Sequence, residues 1–337
     1  MGESCNQTNY AALVFDPDKF TGKVFIGKRN GQRRCRFCGR VLDESHFQKE
    51  AHAISVSLGN TKFICADECD ECNEDFGRRI ENDVVQFFQI YLLLGQVPKR
   101  NGKMRQVPGR NFEMYMSDEA SSFTGLLTLC FQLRDWNDDN ISTDEVVRMM
   151  NSLDLSNKTY VPQNIYKAFC KYALSLMPHA ATLQYQKTIQ WINGDSFEPS
   201  LPKVKVATVA REGKQPKMCI FLRKTPGSLY PLCIVSLCVT HIHFFYILPF
   251  CEESEGTEAD NALFDAFWKQ FSKCAPAALL DQFKDQDFSS SNREELNIDV
   301  DLTFEPGAAP IRLKREGKAE NWTIDEDDGE VSEIVCQ

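Results

Sequence analysis

Residues Cys35–Asp83 read CRFCGRVLDESHFQKEAHAISVSLGNTKFICADECDECNEDFGRRIEND. Two CxxC pairs frame this stretch, Cys35 with Cys38 and Cys69 with Cys72. If the intervening chain folds back on itself, four thiolates converge on one tetrahedral ion, which is the spacing of a structural zinc site. Cys65 lies close by, but Cys69-Asp70-Glu71-Cys72 has the knuckle spacing and Cys65 is left out of the set. A redox pair or chance spacing in a cysteine-rich chain is the alternative. Such an ion contributes on the order of 10 kcal/mol to folding a small module with little core of its own.

Between the pairs lies His52, in Ala51-His52-Ala53-Ile54-Ser55, followed by Leu58-Gly59-Asn60, and Asn73 directly follows Cys72. In their order these elements resemble the HNH endonuclease superfamily, in the subgroup that carries CxxC, a His-bearing strand, Leu-Gly-Gly or Leu-Gly-Asn, then CxxCN and Phe-Gly. The likeness covers about residues 20–90. It implies a ββα-metal fold with the histidine on the first strand of a hairpin, an Asn in the connecting loop and the last Asn on the helix. Asn60, on that likeness, hydrogen-bonds across the loop and keeps the His52 strand in place.

The chemistry of phosphodiester hydrolysis asks for a base that activates water and a divalent cation that absorbs charge on the phosphate. His52 suits the first task because a histidine titrates near neutral pH. Asn73 suits the second, since a neutral amide oxygen can hold a Mg2+- or Mn2+-type ion that keeps most of its water. Many HNH motifs place an acid before the histidine, whereas Ala51 stands there. On a strand Glu50 points to the opposite face from its neighbour Ala51 and does not substitute easily for an acid there, so Glu44, Glu74, Asp75, Glu81 and Asp83 are the nearby candidates for a metal carboxylate. The bland alternatives are a buried structural histidine at His52, a helix N-cap at Asn73 and a turn residue at Asn60.

A chain of 337 residues with 42% hydrophobic and 26% charged residues implies an ordinary soluble protein of two or three domains. No charged start followed by an apolar run suggests secretion. Fourteen cysteines spread through a large chain fit a reducing cytoplasm better than a disulfide framework. The net charge of -10 disfavours a nucleic-acid partner only until it is divided. Residues 1–110 hold 17 Lys and Arg against 14 Asp and Glu, and the remainder 21 against 34. The basic residues gather in Lys28–Arg40 and Lys99–Arg110. Neutralising phosphate requires a local patch only, and Arg33, Arg34, Arg36 and Arg40 on the first knuckle are the expected contacts to DNA.

Along the chain, residues 1–18 read as polar and loosely held, and Phe20–Lys28 as a short strand. Glu50–Ser57 and Thr61–Ile64 form the expected hairpin. A helix begins at Glu71 and is stopped by Gly95 and Pro98. Beyond a basic linker the pattern is mainly helical to about residue 194, clearest over Asn164–Met177 and Thr182–Asn193 with Gly194 as C-cap. From Leu201 it turns to strands, Lys203–Ala210, Met218–Leu222 and the uncharged run Pro231–Phe250. That run has the length of a membrane span, but its β-branched residues, Ser236, His241 and His243 favour two buried strands. His241 and His243 fall at strand spacing without a thiolate or carboxylate partner and read as sheet residues. Ala262–Ser272 is an amphipathic helix.

The expected fold is α+β, with a zinc-stabilised HNH domain at 1–95, a basic linker at 96–113, an α+β regulatory or targeting domain at 114–315 and an acidic, disordered tail at 316–337. The expected function is a metal-dependent, HNH-type DNA endonuclease, with defence against phage or mobile DNA as the context its resemblance implies. The runner-up is a non-catalytic, zinc-stabilised module that binds nucleic acid or protein. A homodimer would allow double-strand cutting, and the C-terminal region is open to a regulatory ligand or partner protein.

Overall fold

The computed structural model describes residues 10–109, 112–116, 129–133, 158–195, 200–209, 213–225, 230–273, 280, 282–296, 313–314, 322–327 and 330–336. In chain order the strands are β1 (Tyr10–Phe15), β2 (Val24–Ile26), β3 (Arg33–Arg34), β4 (Val41–Leu42), β5 (Phe63–Cys65), β6 (Gln106–Pro108), β7 (Phe112–Met116), β8 (Leu129–Leu133) and β9 (Thr159–Tyr160). They continue with β10 (Val204–Thr208), β11 (Lys217–Arg223), β12 (Cys233–Val239), β13 (Ile242–Ile247), β14 (Lys284–Gln286), β15 (Glu294–Glu295), β16 (Leu313–Lys314), β17 (Trp322–Asp327) and β18 (Glu330–Cys336). The helices are α1 (Asp70–Arg79), α2 (Glu81–Leu94), α3 (Pro162–Leu176), α4 (His179–Thr182), α5 (Gln186–Asn193) and α6 (Thr257–Phe271). The fold is α+β.

Two compact units divide the chain, one made of Met1–Val85 with Val161–Arg293, the other of Gln86–Tyr160 with Glu294–Gln337. The boundary expected near residue 95 is therefore displaced, because the cysteine-bearing segment shares its unit with the later strands. Residues 10–15, expected to be loosely held, form the edge of the main sheet. Their order there is β1-β11-β12-β13-β10-β14, with antiparallel pairing throughout. Tyr10 anchors this edge with a buried ring and a hydroxyl that donates to Pro231 O at 2.8 Å.

The uncharged run is two strands of that sheet. Val239 pairs with Ile242 around Thr240-His241, and Thr240 takes the left-handed backbone that a two-residue connection needs. No helix among the described residues is long and apolar enough to cross a membrane. Alternate side chains of β13 serve opposite faces, as strand geometry requires. Phe245 and Ile247 join Tyr10, Ile234, Phe264 and Phe267 under α6. Phe244 and Tyr246 face α3, where the Phe169 ring lies 4.9 and 5.4 Å from theirs. Two tyrosines lock the contact, Tyr246 donating to Phe169 O and Tyr166 to Ile247 O, each at 2.8 Å. A helix apolar on nearly every side belongs in an interior, and α3 is buried from Ile165 to Leu176 except at Lys167.

In the second unit, β6, β7, β8 and β16 form a sheet in the order β16-β8-β7-β6, parallel only between β16 and β8. Thus β6 occupies the expected linker, and β7 and β8 lie where helix was expected; residues 134–157 fall outside the described residues. Arg105, in the second basic cluster, is buried and donates to Val97 O at 2.8 Å. The tail expected to be disordered carries the antiparallel pair β17 and β18, whose Ile324, Val331 and Val335 supply β-branched content.

His243 is a test of the sheet. Its Nε2 lies 2.7 Å from Ser236 Oγ, its ring packs on Phe245 and Phe283, and burial holds its pKa down to about 4. The folded state thus binds fewer protons than the unfolded chain between pH 4 and the ordinary value of about 6.5. This stability is complete above that window and is lost as pH falls through it, by up to about 3 kcal/mol. Urea unfolding at pH 7 and pH 5 is expected to show a smaller acid penalty for His243→Phe than for the native chain.

Candidate functional site

The four sulfurs of Cys35, Cys38, Cys69 and Cys72 lie within 4.8 Å of one another. Cys35 Sγ is 3.8 Å from Cys72 Sγ, and Cys38 Sγ is 3.9 Å from Cys69 Sγ. Zinc–sulfur bonds of about 2.3 Å place tetrahedral ligands about 3.8 Å apart, while a disulfide needs about 2.05 Å. The donor set therefore fits a tetrahedral ion, and the four cysteines are free thiols. Their titration is split by proximity. Hydrogen bonding from Cys35 and Cys72 draws Cys69 far below the ordinary thiol value, and the same contacts push Cys35 and Cys72 up. A dication in the middle would relieve that competition and hold all four as thiolates.

Local sequence builds each half. β3 and β4 pair on either side of the first knuckle, whose turn is closed by Gly39 N–H donating to Cys35 O and Cys35 N–H to Arg40 O. Gly39 sits at φ +71 with open space around it, a backbone most residues avoid. In the second half Cys69 caps the start of α1, and its N–H reaches Cys35 Sγ at 3.4 Å. Cys65 stays outside the set and donates to Asp67 Oδ1 at 3.3 Å.

A buried ion pair ties the halves together. Arg36 Nε and Nη2 donate to the two oxygens of Asp67 at 2.9 and 3.0 Å, and Arg36 N–H to Asp67 O at 2.9 Å. The third arm of the guanidinium, Nη1, donates to Met177 O at 2.7 Å and to Leu174 O, carbonyls at the C-terminal end of α3. Gly27 lies against this pair. A Cβ there would come within 2.5 Å of Asp67 Cγ, and its φ is +92.

This overturns part of the expected DNA contact. Arg36 is 4% and Arg33 8% exposed. The Arg33 guanidinium lies over the Phe47 ring at 4.0 Å and donates to Lys28 O and Arg29 O. Both charges are spent inside the protein. Arg34 and Arg40 are at the surface, where Arg34 donates to Gly39 O and Arg40 reaches Cys38 Sγ at 3.3 Å and Glu71.

The expected hairpin is short. His52 forms a single antiparallel bridge with Ile64, flanked by Ala53 N–H to Phe63 O and Cys65 N–H to Ala51 O. Its return strand β5 also pairs, in parallel, with β2. The connection includes a 3-10 turn, Val56–Leu58, and Asn60, which is 1% exposed. The Asn60 amide donates to Ile54 O and Phe63 O at 2.8 and 2.9 Å and accepts from Lys62 and Phe63 N–H. Asn60 thus spans the loop that follows His52. Asn73 is half-buried inside α1, its N–H bonded to Cys69 O, so the cap belongs to Cys69.

The candidate carboxylates are all engaged. Glu44 accepts from Gly31 N–H, and Glu74 pairs with Lys49. Asp75 pairs with Arg78 and Arg79, Glu81 with Lys171, and Asp83 with Asn164 and Arg293. Glu50 pairs with Lys23. Asp70 accepts from Gln48 and Lys49 N–H at 2.9 Å each and so fastens the approach to His52 onto the start of α1.

Lys171 and Glu68 escaped the sequence reading. Both are fully buried, with Lys171 Nζ 3.2 Å from Glu68 and 3.5 Å from Glu81. Burial works against the Lys171 charge, but Glu68 and then Glu81 more than offset it and leave the pKa raised. Burial pushes Glu68 up to about 7 against the pull of Lys171. The one sequence signal was a lysine three residues after Ala168, within the apolar arc of α3.

Two outcomes check this construction. One zinc per chain is expected by elemental analysis, with Cys69→Ser or a strong chelator abolishing binding and lowering the melting temperature. Gly27→Ala is expected to cost about 2–4 kcal/mol in urea unfolding, since it displaces Asp67 from a buried charge.

No family model, curated protein or solved structure matches the chain.

Proposed function

We propose that the protein is a metal-dependent endonuclease of HNH type acting on DNA, built on a four-cysteine zinc scaffold. The observation that carries this reading is the order of parts around His52. A zinc knuckle precedes the His52 strand, Asn60 clamps the loop after it, β5 returns antiparallel, and α1 then brings in Asn73 one residue beyond the last sulfur ligand.

In this reading His52 takes a proton from the attacking water as the phosphodiester is hydrolysed. The Asn73 amide oxygen would help to hold a Mg2+- or Mn2+-type ion, which supplies charge stabilisation at the phosphate. Arg34 and Arg40, the two knuckle arginines left at the surface, are the remaining contacts for the backbone of the nucleic acid.

One observation favours a second reading, a non-catalytic zinc module that binds nucleic acid or protein. Every carboxylate near His52 that was a candidate for a second ion has a protein partner. Among the described residues, the four cysteines are also the one group of His, Cys, Asp or Glu side chains assembled for a metal.

Nicking of supercoiled plasmid in Mg2+ or Mn2+ separates the two. The nuclease reading expects His52→Ala to lose at least about 100-fold in rate, the scale of a lost general base, with zinc content unchanged. Equal rates in both proteins, or no cleavage with either metal, would favour the binding module.

A further inference from the structure

Helix α3, about a hundred residues downstream of the cysteine module, reaches the backbone beside His52 with one side chain. Lys171 Nζ donates to His52 O at 3.0 Å. The same ammonium is fixed by Glu68 at 3.2 Å and Glu81 at 3.5 Å. Glu68 immediately precedes the zinc ligand Cys69, and Glu81 opens α2. Three segments therefore converge on one nitrogen that is out of water. Elsewhere on α3, Tyr246 and Tyr166 tie the helix to the sheet, and Arg36 ties its end to the first knuckle. The helix is thus held at three points, and Lys171 transmits that position to the His52 strand.

An ammonium in this place does what an apolar residue would not. It donates to the carbonyl of His52 itself, between the two ladder bonds that use the Ala51 carbonyl and the Ala53 amide. It does so from a rigid helix, whereas the strand's own ladder is only one bridge long.

We infer that Lys171 is a positioning residue for His52, fixing through the His52 carbonyl the strand that aims the imidazole. The role in cleavage rests on the nuclease reading; the tether itself does not. It also gives residues 161–293 a part in the site, as the frame against which the histidine is set.

The test uses the full-length, zinc-loaded protein and two variants. Lys171→Met removes the donor, and Lys171→Met combined with Glu68→Gln removes it together with the charge of Glu68, the more deeply buried of its two carboxylate partners. Amide hydrogen exchange at Ala53 and Cys65, the two ladder bonds flanking His52, reads the tether directly. Faster exchange at these amides by about 10-fold or more is expected in the double variant, with zinc content unchanged and amides of the β11–β12 ladder unaffected. If the native protein cleaves plasmid, kcat is expected to fall about 10- to 100-fold with KM nearly constant, the effect of a slightly misplaced group. Native exchange at Ala53 and Cys65 in the folded double variant would overturn the proposal. So would loss of folding in both variants, which would assign Lys171 to the core alone. A native protein that cuts no DNA but shows the exchange change would remove the nuclease reading and leave the tether standing.

Discussion

A guanidinium held out of water organises the cysteine-bearing part of this protein. Arg36 sits between the ligands of the first CxxC pair, and its partner Asp67 lies two residues before the second. Their double hydrogen bond fixes the distance between the knuckles independently of any ion. An arginine fork suits this task, because two parallel bonds set orientation as well as separation. The remaining arm satisfies carbonyls at the end of α3, groups that a helix cannot pair internally. Sulfur geometry, the absence of a side chain at Gly27 and the packing of α3 all follow from that one placement.

The interior beside it is unusually polar for a protein core. Lys171, Glu68, Asp67 and Arg36 are all buried. Such groups gain little net stability over an apolar equivalent, but breaking one pair leaves an uncompensated charge worth about 3–5 kcal/mol. What they add is definition. An apolar contact between α3 and the knuckles would tolerate sliding, whereas a network of charged donors and acceptors has few alternative registers. For a module whose strands are two or three residues long, that definition replaces the ladder bonds it lacks.

The cysteine set was legible in the sequence because ligand spacing is a local property: a knuckle needs two sulfurs three residues apart, and Gly39 marks its turn. The long apolar stripe of α3 and the C-cap at Gly194 were legible for the same reason, since helix periodicity and a left-handed glycine leave signatures within one segment. Asn60 was visible as a loop residue, although its four hydrogen bonds emerge only when the chain closes around it. Missing were facts that depend on distant partners. Nothing near Arg36 or Arg33 reveals that these residues face inward while Arg34 and Arg40 face outward. Nothing in residues 10–15 names a partner some two hundred positions later. Strands β6, β7 and β8 were missed because short strands carry too few residues to display a period. Whether His52 and Asn73 act together on a phosphate belongs to a third kind of fact, one of chemistry rather than placement.

Strand β1 gives the chain a temporal asymmetry. Its hydrogen-bonding partner, β11, belongs to a part of the polypeptide synthesised much later, and pairing across so large a loop is slow to form. The thiols of the knuckles are all present early, within the first quarter of the chain, while the sheet edge and the helix that buttress them arrive afterwards. The four thiols are thus available to an ion before β11 and α3 have been synthesised, so the polar part of this unit does not have to wait for its apolar layers.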